Sequence, residues 1–314
     1  MGMKRNSFQP LRFSAFLCGL CVSALSSSTL MNPAPRIVFI ANLWTLMEHP
    51  SPANEWSLEK KNQAIKDAGF DGVNWFADAE TPPLLRKFGL KFSGMFNFPR
   101  EEDFASLIRA QMDAGAETIN VQLGNHDTPV DEAIRLTLRL MAEADRQNAN
   151  VHLETHRGTC TETPEKAYAI ADAYRKATGK LLRMNFDFSH LAVVKHLAPQ
   201  DFSKRLIVRP ELLQNGNLIH CRPFNGHHCQ VPVTDGRGNL TREMKEYLPF
   251  IADVFRCWLA GPRPHNELWV VPELGPVSSG YGISTWPPPW EDCLIAKREL
   301  AKVWSKVMNE IAPT

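Results

Sequence analysis

Residues 151–190 read VHLETHRGTCTETPEKAYAIADAYRKATGKLLRMNFDFSH, with a short apolar run near each end. The pattern predicts strands over 151–156 and 182–188. It predicts a helix over 164–178, where apolar side chains recur three and four positions apart. Gly179 follows at the position typical of helix-ending glycines. A strand, a helix and a second strand in this order indicate a βαβ unit, whose two strands are parallel.

The same alternation of short apolar runs and helical patterns extends over the chain from residue 36. Eight strands are predicted, at residues 37–43, 72–75, 92–97, 118–123, 151–156, 182–188, 218–222 and 268–273. Helices are predicted at residues 58–68, 102–114, 131–147, 164–178 and 241–258. Eight strands in βα succession are the number that a closed barrel requires. The sequence therefore predicts the α/β class, as a single (β/α)₈ TIM barrel over residues 31–314.

The length of 314 residues also permits two domains, because a domain takes roughly 150 residues and an α/β barrel about 250. No break in composition marks a linker, which favours one barrel. The sequence Gly236-Arg237-Gly238 lies in a polar turn rather than between a strand and a helix, so it does not indicate a dinucleotide fold. Residues 223–242 and 278–290 are predicted to be enlarged loops at the catalytic face of the barrel.

The balance of charge argues against polyanionic partners. The chain has 35 Lys and Arg against 34 Asp and Glu, a net charge of +1. This leaves no overall field to attract nucleic acid or an anionic membrane. A small carbohydrate is the expected partner, and neither nucleic acid nor, once a signal is removed, a membrane is expected. The sequence leaves homo-oligomerisation open.

Residues 1–30 have the order of a secretory signal. Lys4, Arg5 and Arg12 precede an apolar run at 13–25, and small residues follow with a cleavage site predicted near Ser26. About 13 apolar residues are too few to span a bilayer, which takes roughly 20. The expected location is therefore the periplasm or the outside of the cell. The alternative is an over-called start, with translation from Met31 and a cytoplasmic product.

Four late strands each place a metal-competent side chain at the carboxyl end: Glu154, Asp187, His220 and Glu273. Alternate side chains of a barrel strand face the interior, so these groups are expected to converge. A single carboxylate at a strand end is usually a helix cap or half of an ion pair. Three carboxylates buried together would need their negative charge neutralised, and a divalent cation does this most simply. An oxygen-rich set with one imidazole favours Mn²⁺, Mg²⁺ or Co²⁺, with Zn²⁺ as a further candidate.

The motifs VHLETH (151–156), NFDFSH (185–190), IHCR (219–222) and VPELG (271–275) resemble those of the xylose isomerase-like TIM-barrel superfamily, in its sugar isomerase, epimerase and dehydratase branch. The resemblance covers about residues 36–310. It implies that the metal ligands are Glu154, Asp187, His220 and Glu273. It further implies that His190 contacts a substrate oxygen and that Arg222 contacts substrate or a neighbouring carboxylate. Cys160 stands where many relatives have another glutamate.

Such a site suits proton abstraction next to a carbonyl, through an enediolate that the metal stabilises. Glu154 and Glu273 are the predicted catalytic residues. If they face opposite sides of one carbon, one removes the proton and the other returns it, which isomerises or epimerises a sugar. A leaving hydroxyl or glycosyl oxygen on the next carbon would instead make the enzyme a lyase or dehydratase of a keto-sugar or keto-glycoside.

Several side chains near strand ends are weaker candidates. His126 and His156 are predicted to bind substrate, against the alternative of turn histidines. His227 and His228 lie in a long loop, where a plain polar role is favoured. Trp44 and Trp75 end early strands and are candidates to stack on a sugar ring or to pack the barrel mouth.

Two other classes of function stay open at the level of sequence. A metal-dependent abasic-site endonuclease uses the same barrel, but residues 96–97 offer Phe and Asn rather than a histidine, and no Asp-x-His pair follows His220. A non-catalytic carbohydrate-binding barrel would need no proton transfer. The presence of every expected ligand favours the enzyme.

Overall fold

The structure is a computed structural model that describes residues 34–262 and 264–311. The predicted signal segment lies outside these residues. No helix within them combines the length and the apolar character needed to cross a membrane.

Eight parallel strands form a closed barrel in the order of the chain: β1 (Arg36–Asn42), β2 (Gly72–Phe76), β3 (Lys91–Asn97), β4 (Ala116–Gln122), β5 (Val151–Glu154), β6 (Met184–Asp187), β7 (Leu218–His220) and β8 (Glu267–Val271). The first and last strands close it, with Arg36 to Phe39 of β1 in register with Glu267 to Val270 of β8. The fold is the predicted (β/α)₈ barrel.

Helices surround the barrel: α1 (Leu58–Asp67), α2 (Thr81–Phe88), α3 (Phe104–Asp113), α4 (Val130–Arg146), α5 (Pro164–Thr178), α6 (Phe188–Val194), α7 (Phe202–Leu206), α8 (Pro210–Asn215), α9 (Arg242–Ala260) and α10 (Pro289–Ile311). Five of these, α2, α6, α7, α8 and α10, were not predicted. Four are eight residues or shorter, too short for a helical period to repeat clearly. The long α10 begins at Pro289, inside the loop predicted at 278–290, because a Pro-rich run is typical of loops although proline also suits the first turn of a helix.

Apolar side chains of the strands and helices pack into one continuous layer between barrel and helices. A separate buried cluster, Val38, Ile40, Leu218, Trp269 and Val271, comes from the three strands at the closure. These residues alternate along β1, β7 and β8, as side chains that point into a barrel do. The same parity leads directly to the functional side chains at the strand ends.

Several strands are shorter than predicted, which changes where the site residues lie. β8 ends at Val271 because Pro272 has no N–H to donate to a ladder. Glu273 therefore lies in the loop after β8, not in the strand. His156 and Arg222 also lie just beyond β5 and β7. The carboxyl end of the barrel nevertheless carries every predicted ligand.

Candidate active site

Four metal-competent side chains converge at the carboxyl end of the barrel. Glu154, Asp187, His220 and Glu273 each offer one ligand atom, and these atoms all lie within 4.8 Å of one another. All four residues are buried. The convergence predicted from strand parity is therefore present in the folded chain.

Each of the two glutamates has one oxygen held by amide donors. Asn120 Nδ2 and Gln122 Nε2 donate to Oε2 of Glu154, at 2.6 and 2.9 Å. Asn42 Nδ2 donates to Oε1 of Glu273 at 2.7 Å. The other oxygen of each glutamate is left to face the centre of the cluster.

Asp187 is held in a similar way by the chain that follows it. It is the N-cap of α6, and Oδ1 accepts from Ser189 N at 3.0 Å and from Ser189 Oγ at 2.5 Å. Its second oxygen, Oδ2, accepts from Arg222 Nη2 at 2.8 Å. The same guanidinium nitrogen donates to Oε2 of Glu273. Arg222 thus joins Asp187 to Glu273. Contact with a neighbouring carboxylate is one of the two roles that the resemblance implied for this arginine.

His220 stands between the two glutamates. Its Nδ1 lies 3.1 Å from Oε1 of Glu154 and 3.3 Å from Oε2 of Glu273. Neither contact has the geometry of a hydrogen bond, and no described group hydrogen-bonds to Oε1 of Glu154 or to either ring nitrogen of His220. Oε1 of Glu154 and the His220 ring are therefore packed together without hydrogen bonds, as ligands around a shared ion would be.

The electrostatics of the cluster agree with a cation between these groups. Burial alone would lower the pKa of His220, but the carboxylates of Glu273 and Glu154 outweigh it and hold the pKa well above its usual value. Burial raises the pKa of Asp187, and Arg222 offsets only part of this shift. With His220 neutral, as a metal ligand must be, three carboxylates and one guanidinium leave two negative charges, which a divalent cation would neutralise. The oxygen-rich donor set suits Mg²⁺ or Mn²⁺.

A cavity of about 390 Å³ opens above the cluster. Its polar lining consists of Asn42, Asn97, Gln122, His156, Arg222, Glu273 and Tyr281, and its apolar lining of Trp44, Met47, Trp75, Phe76, Met95 and Phe98. Of the predicted substrate-binding residues, His156 and Arg222 therefore line the cavity directly.

His190 lies beneath His156, with ring centroids 4.1 Å apart and its Nε2 3.4 Å from Oδ2 of Asp187. It is buried, and no described group hydrogen-bonds to either ring nitrogen. Burial lowers the pKa of His190 well below its usual value, and nearby His156 and Arg222 lower it further. His190 is not among the residues that line the cavity, so its contact with a substrate oxygen stays a prediction.

Other candidates are not brought into the cavity. The side chain of His126 is 62% exposed and faces Asp127. His227 and His228 are exposed in the loop after β7. Cys160 is buried, and desolvation raises the pKa of its thiol to about 12, so it offers no thiolate to a ligand.

Sequence reasoning missed the amides around the glutamates and Tyr281. Asn120 and Gln122 alternate along β4, and Asn42 ends β1, so the parity applied to the late strands would have found them. Tyr281 lies in the loop after β8, where Arg222 stacks over its ring at 4.5 Å and its hydroxyl is 3.3 Å from Nε2 of His156. No periodic signal marks a residue in such a loop.

Comparison with solved structures finds the same barrel fold in several proteins. A D-allulose 3-epimerase from Methylomonas sp., solved with D-allulose, is 14% identical with a TM-score of 0.57, over 87% of this chain and 97% of that one. A xylose isomerase-like TIM barrel protein from Mycobacterium smegmatis, solved with magnesium, is 16% identical with a TM-score of 0.54, over 88% of this chain and 98% of that one.

A probable 3-DHS dehydratase from Bacillus anthracis is 14% identical with a TM-score of 0.53, over 83% of this chain and 98% of that one. No protein-family model matches the sequence, and no curated protein matches it. At such low identity the shared feature is the barrel. Sugar epimerases and a dehydratase both occur among the proteins with this fold.

Proposed function

We propose that the protein is a divalent-metal-dependent isomerase or epimerase of a sugar, acting by proton transfer at a carbon next to a carbonyl. The supporting observation is the group of three carboxylates and one imidazole, whose ligand atoms lie within 4.8 Å of one another. The cavity of sugar-accommodating size above it is lined by Glu273, Arg222 and His156.

Glu154, Asp187, His220 and Glu273 would hold the cation. When bound, such an ion withdraws electrons from a carbonyl and the adjacent hydroxyl and acidifies the C–H bond between them. Asn42, Asn120 and Gln122 each hold the outer oxygen of a glutamate, so the inner oxygens keep their direction without reorganisation. Preorganised groups of this kind contribute to the rate because they need not move during the reaction.

Glu154 and Glu273 are the proposed acid and base. They approach His220 Nδ1 from two different elements, Glu154 from β5 and Glu273 from the loop after β8. Burial raises the pKa of Glu273, but His220 and Arg222 outweigh it and keep the pKa below its usual value, so this carboxylate is ionised at neutral pH. One glutamate removes the proton from one face of the carbon and the other returns it on the opposite face.

A lyase or dehydratase is the second candidate, and the arrangement of His156 and Tyr281 favours it. The Tyr281 hydroxyl and Nε2 of His156, 3.3 Å apart, form a polar pair on the cavity wall. A donor there could protonate an oxygen leaving from the neighbouring carbon. The presence of a probable dehydratase among the proteins with this fold supports the same candidate.

Deuterium uptake from D₂O into a panel of ketoses and 3-keto glycosides, with Mn²⁺, Mg²⁺ or Co²⁺ added, tests the proposal. We expect exchange at a carbon next to the carbonyl in at least one sugar. Glu154→Gln and Glu273→Gln should each lower the rate at least about 10²-fold, the scale of a lost acid–base group. Glu162→Gln, which alters a surface ion pair with Lys166, is the matched control and should keep the wild-type rate.

The products separate the remaining functions. A stereoisomer or positional isomer supports the epimerase or isomerase, and an unsaturated or cleaved product supports the lyase. Saccharide binding without exchange would instead support a non-catalytic binder, and cleavage of abasic DNA would support a nuclease. Wild-type exchange in either glutamate variant removes that residue from the catalytic role.

A further inference from the structure

One side of the cavity is apolar. Trp44, Met47, Trp75, Phe76 and Phe98, here called the apolar wall, come from the chain at or just beyond the ends of β1, β2 and β3. Phe98 is 56% exposed, Met47 39% and Phe76 38%. A group of large exposed apolar side chains around one cavity marks a binding surface, whereas apolar residues exposed singly do not.

The predicted metal ligands follow other strands than the apolar wall does, although Trp44 of the wall lies beside Arg222, whose guanidinium is 5.7 Å from the indole ring. Glu154, Asp187, His220 and Glu273 belong to β5 through β8, whereas the apolar wall belongs to β1 through β3. The reacting carbons of a sugar must lie beside Glu273 and Arg222. Any part of the substrate that reaches the apolar wall therefore does not react.

The backbone at Phe98 adds an independent observation. Phe98 has φ of 52°, in the left-handed region that bulky residues rarely adopt, and it precedes Pro99, which disfavours most non-extended conformations. Its N–H donates to the carbonyl of Gln122 at 2.7 Å, which ties this conformation to β4 beside the site. An exposed aromatic ring held in a costly conformation at a cavity mouth indicates a functional position.

Trp44 and Trp75 give the wall rigid flat surfaces. Trp44 packs edge-on against Tyr281, with ring centroids 4.9 Å apart, and Trp75 packs edge-on against Phe76 at 5.3 Å. Rigid aromatic rings bind an apolar ring face at low cost in side-chain entropy. They offer little to the hydroxyls of an open-chain sugar, which need hydrogen-bond partners when buried.

We propose that the apolar wall binds a second ring of the substrate, so that the sugar enters as a glycoside whose aglycone presents an apolar ring face. This inference rests on the proposed function for the position of the reacting sugar. It names the substrate class as keto-glycosides with a ring aglycone rather than free ketoses.

Binding of matched glycosides tests the wall without requiring turnover. The probes are the methyl and phenyl 3-keto glycosides of the gluco, galacto and manno series, titrated by calorimetry into the intact protein with saturating Mn²⁺. We expect the phenyl glycoside to bind at least about 10-fold more tightly than the methyl glycoside in at least one pair. Equal affinity in all three pairs, or no binding of any probe, overturns the proposal.

Variants of Phe98 test whether its ring causes the tighter binding of the phenyl glycoside. Phe98→Asn removes the ring while supplying a residue that tolerates positive φ, and should reduce the phenyl-to-methyl affinity ratio at least about 5-fold. Phe98→Trp should retain most of the ratio. Val208→Asn, which alters an exposed apolar residue outside the cavity lining, is the control and should leave the ratio unchanged. An unchanged ratio in Phe98→Asn, with all variants folded by circular dichroism, contradicts the assignment.

Failure of this proposal and failure of the proposed function give different results. A phenyl preference without deuterium exchange in any sugar supports the wall and rejects the isomerase. Exchange on ketoses with no phenyl preference supports the isomerase and rejects the wall. If sedimentation shows that Phe98→Asn converts a dimer to a monomer and selectivity does not change, the wall is a contact between two copies of the chain and the proposal is wrong.

Discussion

Asn185 connects two predicted metal ligands through its side-chain amide. Its Nδ2 donates to Oδ1 of Asn120 at 2.9 Å, and its Oδ1 accepts from the backbone N–H of His220 at 3.1 Å. Asn120 in turn donates to Glu154. Since loss of a group that orients a metal ligand typically costs about 10- to 100-fold in metal affinity, this chain of amides should affect how tightly the site binds its ion.

Asn185→Leu should therefore weaken Mn²⁺ binding about 10- to 100-fold, because the Glu154 carboxylate and the β7 backbone lose their support. The unpaired His220 N–H should also cost about 1–3 kcal/mol of stability. Calorimetric Mn²⁺ titration and urea unfolding measure the two effects. The control is Asn62→Leu, another buried asparagine, which donates to Leu58 O within α1. Equal loss of metal affinity in both variants would contradict a specific role for Asn185.

His152 is the titratable residue best suited to a test of pH dependence. Burial, with smaller contributions from the charges of Arg183 and His265, lowers its pKa to about 3. The N–H of Asn217 donates to Nε2 at 3.4 Å, which requires this nitrogen to be unprotonated. Between about pH 6.5 and pH 3 the unfolded chain binds a proton at this histidine and the folded chain does not.

Stability should therefore fall as the pH drops below about 6.5, by up to about 1.4 kcal/mol per pH unit from this group. His152→Gln keeps an acceptor for Asn217 but has no proton to gain. Between pH 6 and pH 4.5, the free energy of unfolding should fall less steeply with pH in this variant than in wild type. The difference in slope should be up to about 1.4 kcal/mol per pH unit. Parallel curves for the two proteins would show that His152 is not the group responsible.

At the scale of elements, three loops meet at Gly275. Gln230, from the loop after β7, donates to the Gly275 carbonyl at 3.0 Å and accepts from its N–H at 2.7 Å. A Cβ added at Gly275 would lie 2.2 Å from Cη2 of Trp44, which belongs to the chain after β1. The loops after β1, β7 and β8 thus position one another and the cavity between them.

Gly275→Ala should displace the Trp44 indole, because the two hydrogen bonds to Gln230 keep the loop backbone from retreating. We expect a loss of stability of about 1–3 kcal/mol, the usual cost of overpacking. Trp44→Phe removes the clashing atom, so the double variant should be less destabilised than the sum of the two single changes. Thermal or urea unfolding of all four proteins measures this coupling, and strictly additive losses would argue against the contact.

At the scale of the molecule, the site exists only when the barrel is closed. Its ligands span residues 154–273, and the β1–β8 pairing brings Asn42 from the start of the barrel to Glu273 at its end. An unfolded chain cannot assemble these groups. An ion that binds this cluster should therefore stabilise the whole fold.

Mn²⁺ at about 100 times its dissociation constant should add about 2.7 kcal/mol to the free energy of unfolding. Thermal unfolding with EDTA, Mg²⁺, Mn²⁺ or Co²⁺ measures the effect and ranks the metals. His220→Ala, which removes one ligand, is the comparison and should show a much smaller shift. The same melting temperature for wild type with EDTA and with every metal would reject the metal centre.

The barrel and the four-residue cluster were predictable because both follow from short repeating patterns. Eight βα alternations are the number that a closed barrel needs, and residues two apart on a strand share a face, so Glu154, Asp187 and His220 were expected to point inward together. The missed helix α10 shows the limit of this reasoning, since a Pro-rich start conceals the periodicity that follows it.

Contacts between distant segments were decided by the tertiary structure. Asn42 meets Glu273, and Gly275 meets Trp44, across more than two hundred residues of sequence. The conformation of Phe98 depends on the carbonyl of Gln122 in the next strand. Local periodicity determined which side chains face the axis of the barrel, whereas loops carry no such period, so only closure of the barrel determined which of their residues surround the cavity.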